Sequence, residues 1–324
     1  MEKKIVEWGV LGCAAIADRA VIPGILGAEN ARLYAVAGRD PEKLASFKEK
    51  HKPVKTYDSY EALLEDPAVD AVYIPLPNGL HCEWTIKAAE HKKHVLCEKP
   101  LGVTADEVVK MYEACRKNGV LLMEAFAYRH SPLTAKLKSM VEEGLIGKLK
   151  FIESHFSFPL HDESNVRLVS SLGGGATFDI GCYNLSIIRH LAGSEPISVY
   201  AEGDVGKSTG VDETSCILLR FEGGLTAVSY CSFKAADKCG YYIVGEEGVI
   251  DVPVNFNKKG LVSIFLKTGE TTKEITLDCP DNYMLEVEQL GRCILEGEQP
   301  LLSFEEAYGN AVVIDKTLAM LHKK

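Results

Sequence analysis

The chain has 324 residues, 46% of them hydrophobic and 25% charged, with a formal net charge of −10. That length suits two domains with ample cores, and the acidic balance excludes the clustered cations of a general nucleic-acid surface. No run of eighteen apolar residues marks a transmembrane helix, and Met1 to Val6 lack the apolar core and small-residue cleavage site of a signal peptide. The ten cysteines include no Cys-x-x-Cys pair, and Cys13, Cys97, Cys216 and Cys231 sit in apolar runs. Buried, reduced thiols in a cytoplasmic chain are the expectation.

Ile5 to Leu11 is a β-rich run ending at Gly12. Gly12-Cys13-Ala14-Ala15-Ile16-Ala17 then opens a helix-like segment. Its Gly-x-Ala-x-x-Ala spacing matches the dinucleotide fingerprint, with alanine at the second position. Small residues at such a turn also serve plain helix–strand packing. Arg32 to Ala37 reads as the second strand and ends in Gly38-Arg39-Asp40-Pro41. NAD enzymes place an acidic residue near here to hold ribose hydroxyls. Gly38 and Arg39 stand there instead, and a guanidinium suits a 2′-phosphate, so NADP is favoured over NAD. Asp40 can still turn toward ribose, and a simple turn before a helix is the alternative.

Pro41 to Lys50 is a polar helix with proline at its first position, and Asp58 is a candidate cap for the helix Ser59 to Glu65. Val69 to Ile74 is a central strand followed by Pro75-Leu76-Pro77-Asn78-Gly79-Leu80-His81. That loop falls at a strand's carboxyl end, where a cofactor lies in an open α/β sheet. Asn78 is either a ligand contact or a helix cap. A helix over 79–91 leads to Val95 to Cys97, an apolar run that stops abruptly at Glu98-Lys99-Pro100. Glu98 and Lys99 then stand at the ligand edge, unless they form only a surface ion pair. The peptide bond before Pro100 is a candidate cis bond. A helix over 104–118 and a strand over 119–124 complete a series of βαβ units, hence a parallel doubly wound sheet.

Past Ala125 the pattern changes. After a helix from Ser131 to Glu143, the chain is mostly strand-like: Leu149–Phe158, Ile197–Val205, Thr214–Phe221, Leu225–Phe233, Tyr241–Val244, Val249–Val252, Val262–Leu266 and Glu274–Leu277. Gly223-Gly224 signals a hairpin. The fold class is therefore α/β: a Rossmann domain over residues 1–125 and, over 126–324, an α+β domain with a large, mostly antiparallel open sheet. A broad sheet with few helices leaves a face to bury, which suggests oligomerisation through it. Helices over 283–297 and 304–322 close the chain. His91 and His94 flank two lysines and carry no expectation of metal.

One helix interrupts the second half, starting from Gly173-Gly174-Gly175 and running through Asp179 and Tyr183 to His190. Asp179 and Tyr183 are spaced i, i+4 and share a face. The triple glycine lets a backbone or a ligand come very near. On spacing alone, packing of Tyr183 in the core with its hydroxyl on Asp179 is the favoured reading. His161 and Arg167, on the irregular segment Pro159 to Ser171, are candidate substrate contacts on a covering loop, or residues of a solvated loop. Arg129 is a candidate for the nicotinamide side or the domain interface.

Gly9-x-x-Gly12-x-Ala14-x-x-Ala17, Pro75-x-Pro77-Asn78-x-x-His81, Glu98-Lys99-Pro100 and Gly173-Gly174-Gly175 with Asp179 and Tyr183 together resemble the Gfo/Idh/MocA family nearly end to end. The tyrosine at 183, where many members have histidine, is similar to the branch of trans-dihydrodiol dehydrogenases and NADP-linked D-xylose dehydrogenases. The resemblance implies an NAD(P)-dependent dehydrogenase or reductase acting on a carbinol carbon of a sugar, polyol or dihydrodiol. A keto-sugar or anhydrosugar reductase and a non-catalytic dinucleotide-binding regulator are the alternatives.

It further implies that Lys99, Tyr183 and Asp179 are catalytic. Gly12, Cys13, Ala14, Ala15, Ile16, Gly38, Arg39, Pro75, Leu76, Asn78, His81, Glu98 and Lys99 would bind the cofactor, NADP or NAD. A homodimer or homotetramer through the C-terminal sheet is expected. An ordinary tyrosine, with a pKa near 10, is a poor base at neutral pH, and the Lys99 ammonium is expected to favour its phenolate.

Overall fold

The structure is a computed structural model describing residues 5–322. In chain order the first elements are β1 (Val6–Leu11), α1 (Ile22–Gly27), β2 (Ala31–Ala37), α2 (Pro41–His51), β3 (Lys55–Tyr57), α3 (Tyr60–Glu65), β4 (Ala71–Ile74), α4 (His81–Glu90), β5 (His94–Glu98), α5 (Ala105–Asn118) and β6 (Leu122–Ala125). Then follow α6 (Pro132–Glu142), β7 (Leu149–Ser157), α7 (Cys182–Ala192), β8 (Ser198–Val205), β9 (Asp212–Arg220), β10 (Thr226–Ser232), β11 (Lys238–Gly245), β12 (Gly248–Val252), β13 (Gly260–Thr268), β14 (Thr271–Cys279), α8 (Asn282–Glu296) and α9 (Phe304–Leu321).

The chain divides into two compact units. The first takes residues through Gly102, then Asp106–His130 and Pro280–Ala307; the second takes Val103–Ala105, Ser131–Cys279 and the chain from Tyr308 on. The units thus change hands at 130/131, and Pro280–Ala307 belongs with the first although it follows the second in sequence.

The first unit holds a six-stranded parallel sheet in the order β3-β2-β1-β4-β5-β6. All four residues of β4 are buried, as are Val95 to Cys97 of β5. Helices cover both faces of such a sheet, so its strands carry no polar alternation. α8 packs on α1 so closely that a Cβ on Gly24 would stand 2.9 Å from the Tyr283 carbonyl carbon. Asn30 reinforces the contact by donating to the Glu288 carbonyl at 2.9 Å. The cap of α3 is Ser59, not Asp58: its Oγ accepts from the Ala62 amide at 3.3 Å. A cap must reach an amide two or three residues onward, and α3 starts at Tyr60.

The second unit holds an eight-stranded sheet, β14-β13-β12-β11-β7-β10-β9-β8, antiparallel except for the β7–β10 pair. Its two faces differ. One row crosses Leu219, Ala227, Ile152, Ile243 and Ile250, all 0% exposed. The adjacent row crosses Tyr200, Leu218, Val228, Glu153 and Tyr242, none of them buried. Tyr200 and Leu218 are 57% and 47% exposed. Period-two alternation places these apolar side chains on one open face.

All ten cysteines are free thiols. Cys216, expected to be buried, is exposed because it falls on the outward-facing register of β9.

Candidate active site

The carboxyl edge of the parallel sheet gathers four segments of the first unit. At the first, Gly12 has φ +124° and its amide donates to the Ala37 carbonyl at 2.9 Å. A side chain there would be strained and would stand 3.2 Å from Leu76 Cδ2. Cys13, Ala14 and Ile16 are half-buried and Ala15 is exposed. Burial, then the Asp40 charge, push the Cys13 thiol up to about 11, so it stays neutral beside this turn. Gly38 at the end of β2 is needed for packing: a Cβ there would meet Cys13 Sγ at 2.7 Å.

The second segment decides the acidic residue after β2. Asp40 is the cap of α2, with Oδ1 accepting from the Glu42 and Lys43 amides at 3.0 and 3.1 Å. Its Oδ1 is thereby committed to the helix. Arg39 is exposed, and among the described residues no ion pair is recorded for its guanidinium. Its charge lies over the Tyr60 ring, 5.4 Å from the centroid.

In the third segment, Pro75 and Leu76 are buried and Asn78 half-buried. Asn78 does not cap α4: a 3₁₀ turn over Asn78–Leu80 intervenes, and neither that turn nor α4 has a side-chain cap. His81 is fully buried, with Nδ1 2.9 Å from the Pro100 carbonyl and Nε2 2.8 Å from the Leu76 carbonyl. Burial outweighs these two acceptors and lowers its pKa. A neutral ring has one N–H, so His81 donates to one of these carbonyls at a time; it is packed between the loop after β4 and the loop after β5 rather than presented to a ligand.

In the fourth segment Glu98 ends β5, Lys99 follows it, both are half-buried, and the Lys99–Pro100 bond is cis. Tyr73 donates to Glu98 Oε1 at 2.5 Å, and the Lys99 amide donates to Oε2 at 3.3 Å. Burial, then the Glu98 charge, raise the Tyr73 phenol well above its ordinary value, so it remains a donor. One residue had no signal in the sequence pattern. Glu286 of α8 is 0% exposed, and among the described residues neither carboxyl oxygen has a hydrogen-bond partner. Burial, then Glu98, push its carboxyl well up, which keeps it neutral.

Arg129 does not stand open: it is buried and pairs with Glu306 at 2.8 Å. His94 Nδ1 accepts from the Leu121 amide at 3.0 Å, and among the described residues no group of metal-ligating side chains is present. The glycine cradle, the committed Asp40 and the presented Arg39 fit a dinucleotide.

The second unit builds the other constellation. The triple glycine admits a backbone, as its composition suggested. The Gly175 amide donates to the Arg167 carbonyl at 2.9 Å and the Gly174 amide to Val169 at 3.1 Å. A Cβ on Gly174 would stand 2.6 Å from the Arg167 oxygen. Asp212 then caps the turn Thr177–Gly181, accepting from the Thr177 amide and Oγ1 at 2.8 and 2.7 Å. These contacts deliver Arg167 to Asp179, with Nε 2.6 Å from Oδ2. Asp179 is 14% exposed and Arg167 42%.

Tyr183, one turn on, is half-buried between Phe156 and Phe256, at ring distances of 6.0 and 5.2 Å. His161 lines an open cavity of about 910 Å³ with Leu168, Val169, Ser170 and Ser171.

Comparison with known proteins assigns these parts. Residues 6–126 match the model of an oxidoreductase family with an NAD-binding Rossmann fold, and residues 134–251 match the GFO/IDH/MocA C-terminal domain. The chain belongs to the GFO/IDH/MocA family. It is 36% identical to D-xylose 1-dehydrogenase (NADP(+)) 2 of Haloferax volcanii, over 95% of each chain. It is 32% identical to trans-1,2-dihydrobenzene-1,2-diol dehydrogenase of Xenopus laevis, over 97% of this chain and 98% of that one. Its fold matches KijD10, a 3-ketoreductase from Actinomadura kijaniata in complex with NADP and TDP-benzene, with a TM-score of 0.93, 27% identity and 98% of both chains covered. This GFO/IDH/MocA chain is an NAD(P)-dependent oxidoreductase with the mixed α/β architecture expected from its sequence. No helix among the described residues is long and apolar enough to cross a membrane.

Proposed function

We propose that this enzyme moves a hydride between nicotinamide and the carbinol carbon of a sugar, polyol or dihydrodiol, with NADP preferred over NAD. The observation that carries the cofactor reading is the division of labour after β2. Asp40 is consumed as a helix cap, which leaves Arg39 as the side chain offered to a ribose 2′ substituent. A guanidinium binds phosphate through a fork of N–H donors, whereas an acidic residue would repel it. The named activities of the dehydrogenase relatives support the substrate class.

A bound nicotinamide would supply the hydride chemistry, as acceptor in oxidation and as donor in reduction. Tyr183 takes the hydroxyl proton of the substrate as its C–H hydride leaves, and gives it back in the reverse direction. Lys99 supplies positive charge that favours the tyrosinate and stabilises the developing alkoxide. Asp179 fixes the Arg167 guanidinium, and Arg167 and His161 bind substrate hydroxyls. Gly12 through Ile16, Gly38, Pro75, Leu76, Asn78 and Glu98 frame the dinucleotide, while His81 holds two of those loops. Joint retention of Lys99, Asp179 and Tyr183 favours an enzyme over a dinucleotide-binding regulator. The ketoreductase likeness favours a second reading, reduction of a keto sugar, which the same residues perform in reverse.

The first unit serves the dinucleotide; the second serves substrate and oligomerisation. The Tyr200–Leu218–Val228–Tyr242 row is the surface on which a second copy docks, giving a dimer or tetramer. The ten free thiols suit a reducing cytoplasm. A panel of aldoses, polyols and dihydrodiols, followed at the reduced-nicotinamide absorbance with NAD and NADP in parallel, tests the proposal. Turnover with none of them, in either direction, would remove it.

A further inference from the structure

The cation offered at the end of β2 is not held by an acid but by a ring. Arg39 sits over Tyr60, its guanidinium carbon 5.4 Å from the centroid. Tyr60 opens α3 and is 5% exposed. Its ring packs edge-on with Trp84 of α4, centroids 4.9 Å apart at 87°. Trp84 is in turn covered by the Lys87 Nζ at 4.1 Å, and Lys87 is neutralised by Glu83 at 2.7 Å. The other end of Tyr60 reaches the first turn: a Cβ on Gly12 would stand 3.5 Å from its hydroxyl oxygen. One immobile residue therefore lies under Arg39 and beside the glycine turn.

We infer that Tyr60 is a positioning residue for cofactor choice: its ring presents the Arg39 guanidinium, already placed, to the 2′-phosphate of the dinucleotide. This rests on the NADP reading above and adds a residue to it. An exposed arginine samples many rotamers, and ordering it on binding costs affinity. An aromatic face holds the guanidinium electrostatically without neutralising its charge. A carboxylate in the same place would hold it better but cancel the positive charge the phosphate needs. Burial of the ring against Trp84 is what makes the platform rigid.

The test keeps the ring's shape and removes its charge distribution. Position 60 is changed to phenylalanine, then to di- and trifluorinated phenylalanines, and binding of 2′,5′-ADP and 5′-AMP is measured by calorimetry. Phenylalanine should retain the preference for 2′,5′-ADP. Along the fluorinated series the 2′,5′-ADP Kd should rise about two- to fivefold, the worth of one cation–π contact, while the 5′-AMP Kd holds. Arg39→Ala in the trifluorinated background should add less than it does in the phenylalanine background. A flat series, with Arg39→Ala still abolishing the preference, overturns the role of Tyr60 and leaves the NADP reading standing. Equal binding of the two nucleotides by the unaltered enzyme, unchanged by Arg39→Ala, overturns the NADP reading itself.

Discussion

Arg167 Nε lies 2.6 Å from Asp179 Oδ2, a pair brought together by the backbone bonds of Gly174 and Gly175 to residues 167 and 169. The segment carrying Arg167 is thus fastened by main chain before the charges meet. Removing the guanidinium should leave that fastening intact while taking away this one contact of Asp179. We expect Arg167→Leu to lower kcat/KM about tenfold, the scale of one charge-assisted hydrogen bond, with thermal stability nearly unchanged. Steady-state kinetics beside a melting curve decides it. Unchanged kcat/KM would reduce the pair to surface structure.

Lys99→Met and Tyr183→Phe should each lower turnover about 10²- to 10⁴-fold, the range for a lost acid/base group. Dinucleotide binding, read by quenching of protein fluorescence, should survive both changes. Near wild-type turnover in Tyr183→Phe would return this side chain to simple packing between Phe156 and Phe256.

Gly12 has φ +124° and faces Leu76 Cδ2. Gly12→Ala should cost about 1–2 kcal/mol of stability through the backbone alone and weaken dinucleotide binding. Denaturant unfolding with and without cofactor separates the two effects. A variant as stable as the parent contradicts this account of the turn.

Asp212 is 1% exposed, and burial pushes its carboxyl up to about 6. Its unfolded value is near 3.9, so the folded chain holds the proton more tightly. Below about pH 4 the residue carries no such penalty. As pH rises from about 4 to 6 the unfolded chain ionises while the folded one keeps its proton, and stability falls by about 3 kcal/mol on the scale of 1.36 per unit. Asp212→Asn should flatten that slope while the Thr177 contacts persist in part. Urea titrations between pH 4 and 7 measure it, and identical slopes in both proteins would refute the assignment.

Leu218 and Tyr200 are cross-strand partners on the open row of the eight-stranded sheet. Leu218→Glu should split the proposed oligomer, seen as a smaller mass by light scattering, because a buried unpaired carboxylate at an interface is costly. An unaltered oligomer places the docking surface elsewhere.

The first sheet was legible because its central strands β4 and β5 carry unbroken apolar runs and its first turn carries glycine. The second sheet was legible from alternation and hairpin signals, with strand ends shifted by a few residues. Side-chain duties were harder to read. Asp40 and Asn78 each offered both a cap and a ligand contact; only the start points of α2 and α4 decide which amides are within reach. His81 stood in a motif among cofactor residues, yet its two carbonyl partners come from loops 76 and 100, which no local pattern joins. Tyr60 and Glu286 had no signal, since an aromatic at a helix start and a glutamate in an amphipathic helix are ordinary in sequence.

Local sequence by itself determined the element types, the parallel and antiparallel halves, the glycine turns and the family's motif residues, because periodicity and backbone permissiveness are properties of neighbours in the chain. Tertiary structure decided what depends on distant partners. It returned Pro280–Ala307 to the first unit, where Gly24 leaves room for Tyr283. It placed Arg39 on Tyr60 and gave Asp179 to Arg167. A charge takes its partner and its solvation from whatever the fold brings beside it, and these contacts join residues 12 to 259 positions apart.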